Sequence, residues 1–234
     1  MPETRATLAK RRADVAAMFD TVATRYDLMN TLMTGGIVDK WRRDVVEAID
    51  PQPGQHILDL AAGTGASSQP LAALGAHVYP TDMSLGMLRV GKQRLPTLNF
   101  AAGDALELPY ADDSFDVVTI SYGLRNVENT EAALTELLRV TKPGGQALIC
   151  EFSTPTNAAF RAAYSVVLGQ VIPTLGKAFA SNVPAYGYLS ESIRAWPDQA
   201  ALADLMSHAG WAAVGWQNLT GGIVALHRGW KPAG

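Results

Sequence analysis

Strand-like and helix-like segments alternate along the middle of the chain. Short runs of apolar and β-branched residues, each ending in a turn, predict strands at 56–61, 77–81, 99–103, 115–121 and 146–152. Apolar residues at helical spacing between these runs predict helices over 66–74, 84–94 and 130–140. Strands that alternate with helices form βαβ units, so the pattern predicts an α/β fold with a parallel sheet. Ligands of such sheets bind at the carboxyl ends of the strands.

The two ends of the chain extend this pattern. Residues 14–29 and 40–49 have the spacing of amphipathic helices, whereas 154–197 is helical, irregular and punctuated by prolines. A helix at 198–209 and strands at 212–219 and 222–230 follow. We therefore expect a single domain with lid-like additions at 1–50 and 154–197, around a core made of 51–153 and 198–234.

The last two predicted strands are joined by Thr220 and Gly221 alone. A two-residue join of this kind is typical of a β-hairpin, whose strands are antiparallel. We therefore predict a doubly wound, Rossmann-like sheet of seven strands that ends in an antiparallel strand at its edge.

Composition limits the classes of protein that fit. Apolar residues make up 48% of the 234 residues and charged residues 18%, which indicates a globular domain rather than a disordered chain. The net charge of −3 argues against a nucleic-acid partner, because proteins that bind nucleic acids carry basic surfaces. Cys150 is the single cysteine and lies in an apolar strand, so neither a disulfide nor a nucleophile is expected. The four histidines lack metal-ligand spacing, so no metal is expected.

The chain carries no segment typical of export or membrane insertion. Its N-terminus lacks the continuous apolar stretch of a signal peptide. The longest uncharged segment, 162–176, is interrupted by glycine, glutamine and proline and is shorter than the roughly 20 residues that a spanning helix needs. We therefore predict a cytoplasmic protein whose contact with the inner face of a membrane is peripheral and runs through this segment.

The turn after the first predicted strand, in the sequence LDLAAGTG at 58–65, carries two glycines. Gly63 and Gly65 lack side chains, so a ligand can approach their backbone closely. Asp82 ends the second predicted strand, 19 positions after Gly63, where an acid accepts hydrogen bonds from a ribose diol. These features fit a nicotinamide dinucleotide nearly as well as a nucleoside, and a purely structural turn is the third alternative.

Three further features favour a nucleoside. Ser68 stands where the dinucleotide pattern has its third glycine. Asp59 precedes the glycine turn, where a carboxylate repels a pyrophosphate but suits the ammonium group of an amino acid. Asp104 ends the third predicted strand and can bind an adenine amino group, while the N–H of Ala105 can bind a ring nitrogen; the alternative for Asp104 is a solvated loop acid. This combination resembles the class I S-adenosylmethionine-dependent methyltransferases, whose sheet also ends in an antiparallel hairpin.

Two longer segments are more specific. YDLMNTLMTGGIVDKW (26–41) and RVTKPGGQALICEFS (139–153) resemble the signatures of the UbiE/MenG family, which C-methylates the quinol rings of ubiquinone and menaquinone precursors. The chain departs from the family pattern at Thr34 and Val38, which concerns the geometry of the lid. The segments AWPDQ and EFSTPTN are most similar to the demethylmenaquinone branch. The resemblance continues at 122–127, 188–197 and 221–227, so it covers nearly the whole chain.

The resemblance implies a reaction and a cofactor. The reaction is the C-methylation of demethylmenaquinol to menaquinol, the last step of menaquinone biosynthesis, with S-adenosylmethionine as methyl donor and without a metal. The alternatives are methylation of a ubiquinone precursor or of another prenylated or aromatic molecule, and a non-catalytic scaffold in a quinone-synthesis assembly. The expected partners are the lipophilic quinol, a membrane surface and a second copy of the chain. The resemblance implies cofactor contacts at Thr64, Asp82, Asp104, Ala105 and Ser121.

Arg125 is the candidate for the chemistry, because it lies just beyond the fourth predicted strand, at the ligand end of the sheet. A nearby arginine lowers the pKa of a quinol hydroxyl by roughly 1–3 units, which makes the ring carbon nucleophilic. Arginine is a poor base, so we expect a water, Tyr26 or Asp27 to pass the proton on, with Asn126 beside them. The alternatives are a lid-anchoring ion pair for Arg125 and core packing for Tyr26.

Three more side chains have two interpretations each. Tyr188 and Trp196 either line the quinol pocket or pack the lid. His227 is expected to be a wall residue of its strand, with a catalytic role as the less favoured alternative.

Overall fold

A sheet of seven strands forms the centre of the computed structural model, which describes residues 11–171, 174 and 183–233. The strands are β1 (His56–Leu60), β2 (His77–Asp82), β3 (Ala101–Ala102), β4 (Phe115–Ser121), β5 (Thr141–Phe152), β6 (Ala212–Leu219) and β7 (Val224–Trp230). Their order is β3-β2-β1-β4-β5-β7-β6, and every adjacent pair from β3 to β5 is parallel. The chain therefore winds outwards from β1 in both directions, and the predicted doubly wound α/β fold is confirmed.

Helices cover both faces of the sheet and its ligand-binding end. They are α1 (Arg12–Val22), α2 (Tyr26–Thr34), α3 (Ile37–Ile49), α4 (Ser68–Ala73), α5 (Leu85–Arg94), α6 (Thr130–Val140), α7 (Ala158–Val166), α8 (Val183–Ala195) and α9 (Gln199–His208). The single helix predicted over 14–29 is instead α1 and α2, joined by a 3-10 turn at Ala23–Arg25. A second 3-10 turn, Leu124–Asn126, follows β4, and a π-helical turn, Val167–Val171, extends α7. Part of the predicted irregular segment, at 172–173 and 175–182, lies outside the described residues.

The hairpin at the end of the chain differs in two ways from its prediction. Leu219 pairs with Val224, so the join has four residues, and a 3-10 turn at Thr220–Gly222 forms most of it. The antiparallel strand is β7, as predicted, but it lies between β5 and β6, and β6 forms the edge. The predicted position at the edge is wrong because burial decides which strand of the hairpin docks against β5. Most of β7 is buried, whereas β6 is largely exposed.

The two faces of β1 show how the core is divided. Leu58 packs into one apolar cluster, with side chains of α6 and α9, and Ile57 packs into another, with Trp41 of α3. Successive side chains of a strand point to opposite faces, so a single short strand supplies both layers. Both faces are therefore occupied by helices, and the carboxyl ends of the strands are left as the place for a ligand.

The lid segments pack against each other above this end of the sheet. Val15 and Met18 of α1 form a small apolar cluster with Tyr188 of α8. Within the described part of the chain, no helix combines the length and apolarity needed to cross a membrane. The two lids and the strand ends together enclose the candidate site.

We predict that the glycine turn is sensitive to a methyl group at Gly65. Its φ of +82° is disfavoured for other residues, and a Cβ there would lie 2.7 Å from Cζ of Phe100. Gly144 is the matched control, because its φ is +77° but nothing lies within 4 Å of an added Cβ. Left-handed strain costs roughly 1–2 kcal/mol at either position, and overpacking costs about 1–3 kcal/mol more at Gly65.

Urea denaturation of Gly65→Ala and Gly144→Ala measures this difference. Gly65→Ala is expected to lower the free energy of unfolding by about 1–3 kcal/mol more than Gly144→Ala does. Equal losses would show that Gly65 is required only for its backbone conformation.

Candidate functional site

Two adjoining cavities open at the carboxyl ends of the strands. The first, here the strand-end cavity, is bounded by the turns after β1, β2, β3 and β4 and includes Asp82 and Ser121. The second, here the lid cavity, has a volume of about 410 Å³ and lies mainly among α1, α2, α3, α7 and α8. The residues that line both are Phe19, Tyr26, Asn30, Val38, Tyr122 and Asn126. The two spaces therefore meet at one shared wall.

The backbone turns sharply where the sheet meets the strand-end cavity. Ala61 follows β1 and Tyr122 follows β4, and both have positive φ, at 53° and 58°. Left-handed backbone at residues other than glycine is uncommon and is concentrated at functional sites. β1 and β4 are also the neighbours between which the direction of winding reverses, which is where α/β sheets bind their ligands.

Asp82 is fixed by the glycine turn. Its Oδ2 accepts a hydrogen bond from the Gly63 N–H at 2.9 Å and its Oδ1 accepts one from the Ser84 N–H at 2.8 Å. Burial raises the pKa of this carboxyl, and the backbone N–H groups oppose that shift. Gly63, Thr64 and Asp82 all line the strand-end cavity, whereas Gly65 packs behind the turn against Phe100 and does not line it.

Asp59 lies beneath the glycine turn and does not line either cavity. Its side chain is fully buried, and Oδ2 accepts hydrogen bonds from the hydroxyls of Ser67 at 2.7 Å and Ser68 at 2.5 Å. Oδ1 has no hydrogen-bond partner among the described residues. Burial raises the pKa of Asp59 to about 6. The carboxylate expected to meet an ammonium group is therefore sealed inside the turn by the two serines.

Asp104 contacts Arg12, a residue to which the sequence pattern assigned no role. Its Oδ1 accepts a hydrogen bond from the Leu106 N–H, and its Oδ2 forms an ion pair with Arg12 of α1 at 2.5 Å. Arg12 also reaches Glu128, and the contact with Asp104 raises the pKa of the arginine. Arg12, Asp104 and Ala105 all line the strand-end cavity, so the first helix closes the side of the cavity formed by the loop after β3.

Asp27 lines the strand-end cavity but not the lid cavity. Its Oδ2 accepts hydrogen bonds from the Thr64 hydroxyl at 2.8 Å and from Arg94 Nη1 at 2.6 Å. Asp20 binds the core in a similar way, because its Oδ1 accepts hydrogen bonds from the Ser84 hydroxyl and the Gly86 N–H. Carboxylates of α1 and α2 thus connect the N-terminal lid to the glycine turn and to the start of α5.

Arg125 lines the lid cavity and forms an ion pair with Glu151 of the central strand β5. Its Nη1 donates to Glu151 Oε1 of β5 at 2.9 Å, its backbone N–H donates to Glu151 Oε2 at 3.2 Å, and Nη1 also contacts the Tyr122 carbonyl. Both side chains are buried, with 5% of Arg125 exposed. The ion pair therefore anchors the turn after β4 and not a lid. The sequence pattern assigned Glu151 no role. Its position in the apolar run ICEF was the available signal, because a charged residue inside a buried strand needs a partner.

The shared wall holds two of the proposed catalytic residues. Tyr26 and Asn126 line both cavities, so they lie between any ligands bound there. Burial raises the pKa of Tyr26, which favours its neutral hydroxyl. The Asn126 side-chain amide donates weakly to the Tyr122 carbonyl at 3.4 Å, and its Oδ1 is buried without a hydrogen-bond partner among the described residues.

The remaining candidates are placed by burial. Tyr188 lines the lid cavity, and burial raises the pKa of its hydroxyl. Trp196 packs into the same core cluster as Leu58 and does not line the lid cavity. His227 lines neither cavity; its Nε2 contacts the Gln199 carbonyl, and burial lowers its pKa. Cys150 is buried in β5, with a pKa raised to about 12 by burial.

Metal ions in proteins are bound by particular arrangements of side chains. Over residues 11–171, 174 and 183–233, no group of three or more histidine, cysteine, aspartate or glutamate side chains is arranged to hold a metal ion.

Solved structures share the fold at low sequence identity. Phosphoethanolamine N-methyltransferase 2 of Haemonchus contortus, in complex with S-adenosyl-L-methionine, superposes with a TM-score of 0.61 at 17% identity and covers 82% of this chain and 52% of that chain. The [4+2]-cyclase SpnF superposes with a TM-score of 0.64 at 19% identity and covers 94% of this chain and 96% of that chain. One fold therefore supports both a methyltransferase and a cyclase, and these similarities establish the fold alone.

Sequence relatives are much closer and extend over nearly the whole chain. The demethylmenaquinone methyltransferase of Streptomyces avermitilis is 58% identical over 228 residues, which are 97% of this chain and 99% of that protein. The protein of the same name from Mycobacterium tuberculosis is 56% identical over 229 residues, which are 97% of each chain. The sequence model of one family matches residues 6–231. The resemblance inferred from the sequence segments is thus confirmed, and this protein belongs to the ubiE/COQ5 methyltransferase family.

Proposed function

We propose that this protein transfers the methyl group of S-adenosylmethionine to a ring carbon of demethylmenaquinol and so forms menaquinol. The observation that carries the proposal is the shared wall between a strand-end cavity suited to a nucleoside and an apolar lid cavity with one buried arginine. The names of relatives at 54–58% identity over nearly the full length support the same substrate.

The residues of the strand-end cavity fit the adenosine part of the methyl donor. Asp82 is held by two N–H groups at the end of β2, where a carboxylate can accept both hydroxyls of a ribose. Asp104 and Ala105 can bind the edge of the adenine, Thr64 lies in the turn after β1, and Ser121 is the last residue of β4. When bound, the donor supplies an activated methyl group on sulfur and needs no further activation by the protein.

The lid cavity fits the acceptor. Its volume of about 410 Å³ falls in the range of roughly 300–1,000 Å³ that is usual for small-molecule sites, and most of its lining is apolar. A bicyclic quinol can bury its rings there with a hydroxyl towards Arg125. Most of the rate gain then comes from holding two reactants in line across the shared wall, where effective molarity is worth about 7–11 kcal/mol.

Arg125 is proposed to stabilise the ionised quinol. A quinol hydroxyl resembles a phenol, with a pKa of about 10, and a nearby guanidinium lowers that value by roughly 1–3 units. Glu151 takes hydrogen bonds from Nη1 and from the backbone, while Nε donates to no described residue. We assign Tyr26 and Asn126, in the shared wall, to orient the ring. The transfer forms the carbon–carbon bond and breaks the bond between the methyl group and sulfur, and the ring proton is then released to water.

A hydrophobic mouth leads from the lid cavity to the surface. Phe160 and Val167 line the cavity and are also 38% and 39% exposed, so they stand at its opening. Val166 and Val171 of the same segment are also exposed. We propose that the isoprenoid tail of the quinol leaves the cavity here and that this segment contacts the membrane surface.

Removing the buried charge pair is expected to slow methylation without weakening donor binding. Arg125→Gln combined with Glu151→Gln leaves no unpaired charge in the core, which a single substitution would leave behind. The kcat for demethylmenaquinol is expected to fall about 10- to 1000-fold, and the rising limb of kcat against pH to move to higher pH, because kcat reports the pKa of the bound quinol. The Kd of S-adenosylhomocysteine, measured by calorimetry, is expected to stay within about twofold.

The matched control is an exposed ion pair on α3. Lys40→Gln with Asp44→Asn removes one charge of each sign away from both cavities and is expected to leave kcat unchanged. A wild-type rate and pH profile in the Arg125/Glu151 variant would contradict the role assigned to the arginine.

Negative charges introduced at the mouth of the lid cavity are expected to slow the reaction of a long-tailed quinol more than that of a quinol without a tail. Phe160→Asp with Val167→Asp should lower flotation with liposomes and lower kcat/KM for a long-tailed quinol in vesicles about tenfold or more. The rate with a soluble naphthoquinol that lacks the tail should change little. Leu74→Asp is the control, because this exposed leucine follows α4, at the opposite end of the sheet. Unchanged flotation in the mouth variant would contradict the proposed membrane contact.

A further inference from the structure

The amino-acid end of the proposed methyl donor carries a positive charge, and Asp59 does not line the cavity that is proposed to hold it. This end carries an ammonium and a carboxylate group. An ammonium group in a protein cavity is stabilised by a charge-assisted hydrogen bond to a carboxylate. Asp59 is fully buried, is occupied by Ser67 and Ser68, and does not line the strand-end cavity. A ligand in the strand-end cavity therefore has no direct contact with Asp59 while the glycine turn keeps this conformation.

Asp27 has the access that Asp59 lacks. It lines the strand-end cavity beside the glycine turn, and 28% of its side chain is exposed. The hydrogen bonds from Thr64 and Arg94 both end on Oδ2. Oδ1 accepts no hydrogen bond from any residue in the described ranges, so it is available to a ligand. Thr64 itself lines the same cavity, which places Asp27 at the glycine-turn end of the space and not at the end near Asp104.

We propose that Asp27 binds the ammonium group of S-adenosylmethionine through Oδ1, an inference that rests on the proposed function. With the ribose at Asp82 and the adenine at Asp104, the amino-acid end of the donor lies at the glycine turn, against Thr64. The Thr64 hydroxyl donates to Asp27 and keeps lone pairs that can also accept from the ammonium. Arg94 balances the charge of Asp27 from outside the cavity, because it pairs with Oδ2 and does not line the space.

This role links donor binding to the acceptor site. Asp27 belongs to α2, which also supplies Tyr26 and Asn30 to the shared wall. An ammonium held between α2 and the glycine turn therefore holds that wall in place. Binding of the donor is therefore expected to stabilise the closed position of α2, and the closed position of α2 is expected to strengthen donor binding by the same factor.

The test compares S-adenosylhomocysteine with its analogue in which hydrogen replaces the α-amino group, both measured by calorimetry. The wild-type protein is expected to bind S-adenosylhomocysteine about 10- to 100-fold more tightly than the analogue, because hydrogen bonds between charged groups contribute about 1.5–3 kcal/mol. In Asp27→Asn this preference is expected to fall to about threefold or less, through weaker binding of S-adenosylhomocysteine alone.

Three control variants identify the cause of any change. Arg94→Gln breaks the ion pair between α2 and α5 but keeps the carboxylate, so the preference for the amino group should persist. Asp59→Asn should also retain it. Asp82→Asn should weaken both ligands by a similar factor, because the ribose is common to them.

Each contrary result has a separate meaning. Equal weakening of both ligands in Asp27→Asn would overturn the inference and leave Asp27 as an anchor of the lid only. Loss of the preference in Asp59→Asn instead would overturn it in favour of an opened glycine turn. Failure of the wild-type protein to bind either ligand would overturn the proposed function and this inference with it.

Discussion

The buried ion pair between Arg125 and Glu151 is the constraint on which the rest of the site depends. Burying two charges is costly unless both are paired and hydrogen-bonded, and replacing such a pair by apolar residues is often neutral or stabilising. Glu151 accepts hydrogen bonds from the Arg125 side chain, the Arg125 backbone and the Phe152 N–H. The pair therefore fixes the turn after β4, and with it Asn126 in the shared wall. The pair lies in an otherwise apolar region, so its contribution is to hold this turn in one position and not to increase stability.

The N-terminal lid is the second element that both cavities share. Arg12 reaches the loop after β3, Asp20 reaches the start of α5, and Asp27 reaches the glycine turn. These polar contacts are partly exposed, so they can break and reform more easily than the apolar core beneath them. The same helices form much of the lid cavity. A lid that is attached at the strand-end cavity and forms the lid cavity is a simple way to exclude water from both.

The sequence predicted most of the strand-end cavity because parallel strands end at one edge of a sheet. Asp82 and Ser121 are the last residues of β2 and β4, Asp104 lies in the loop after β3, and all three line that cavity. The alternation of strands and helices in the sequence could not show that Asp59 is buried and hydrogen-bonded to Ser67 and Ser68. The contact of Asp27 with Thr64 joins residues 37 positions apart, and the contact of Arg125 with Glu151 joins residues 26 positions apart. Contacts of this length depend on how lids and turns pack, which spacing alone does not specify.

The central claim is tested most directly by the quinones that a cell makes. A menaquinone-producing bacterium that lacks its own ring methyltransferase accumulates demethylmenaquinone, and mass spectrometry distinguishes the two quinones by one methylene unit. Expression of this protein should convert the pool to menaquinone, whereas the Asp82→Asn variant at equal abundance should not. Persistence of demethylmenaquinone in cells that contain the folded protein would contradict the account.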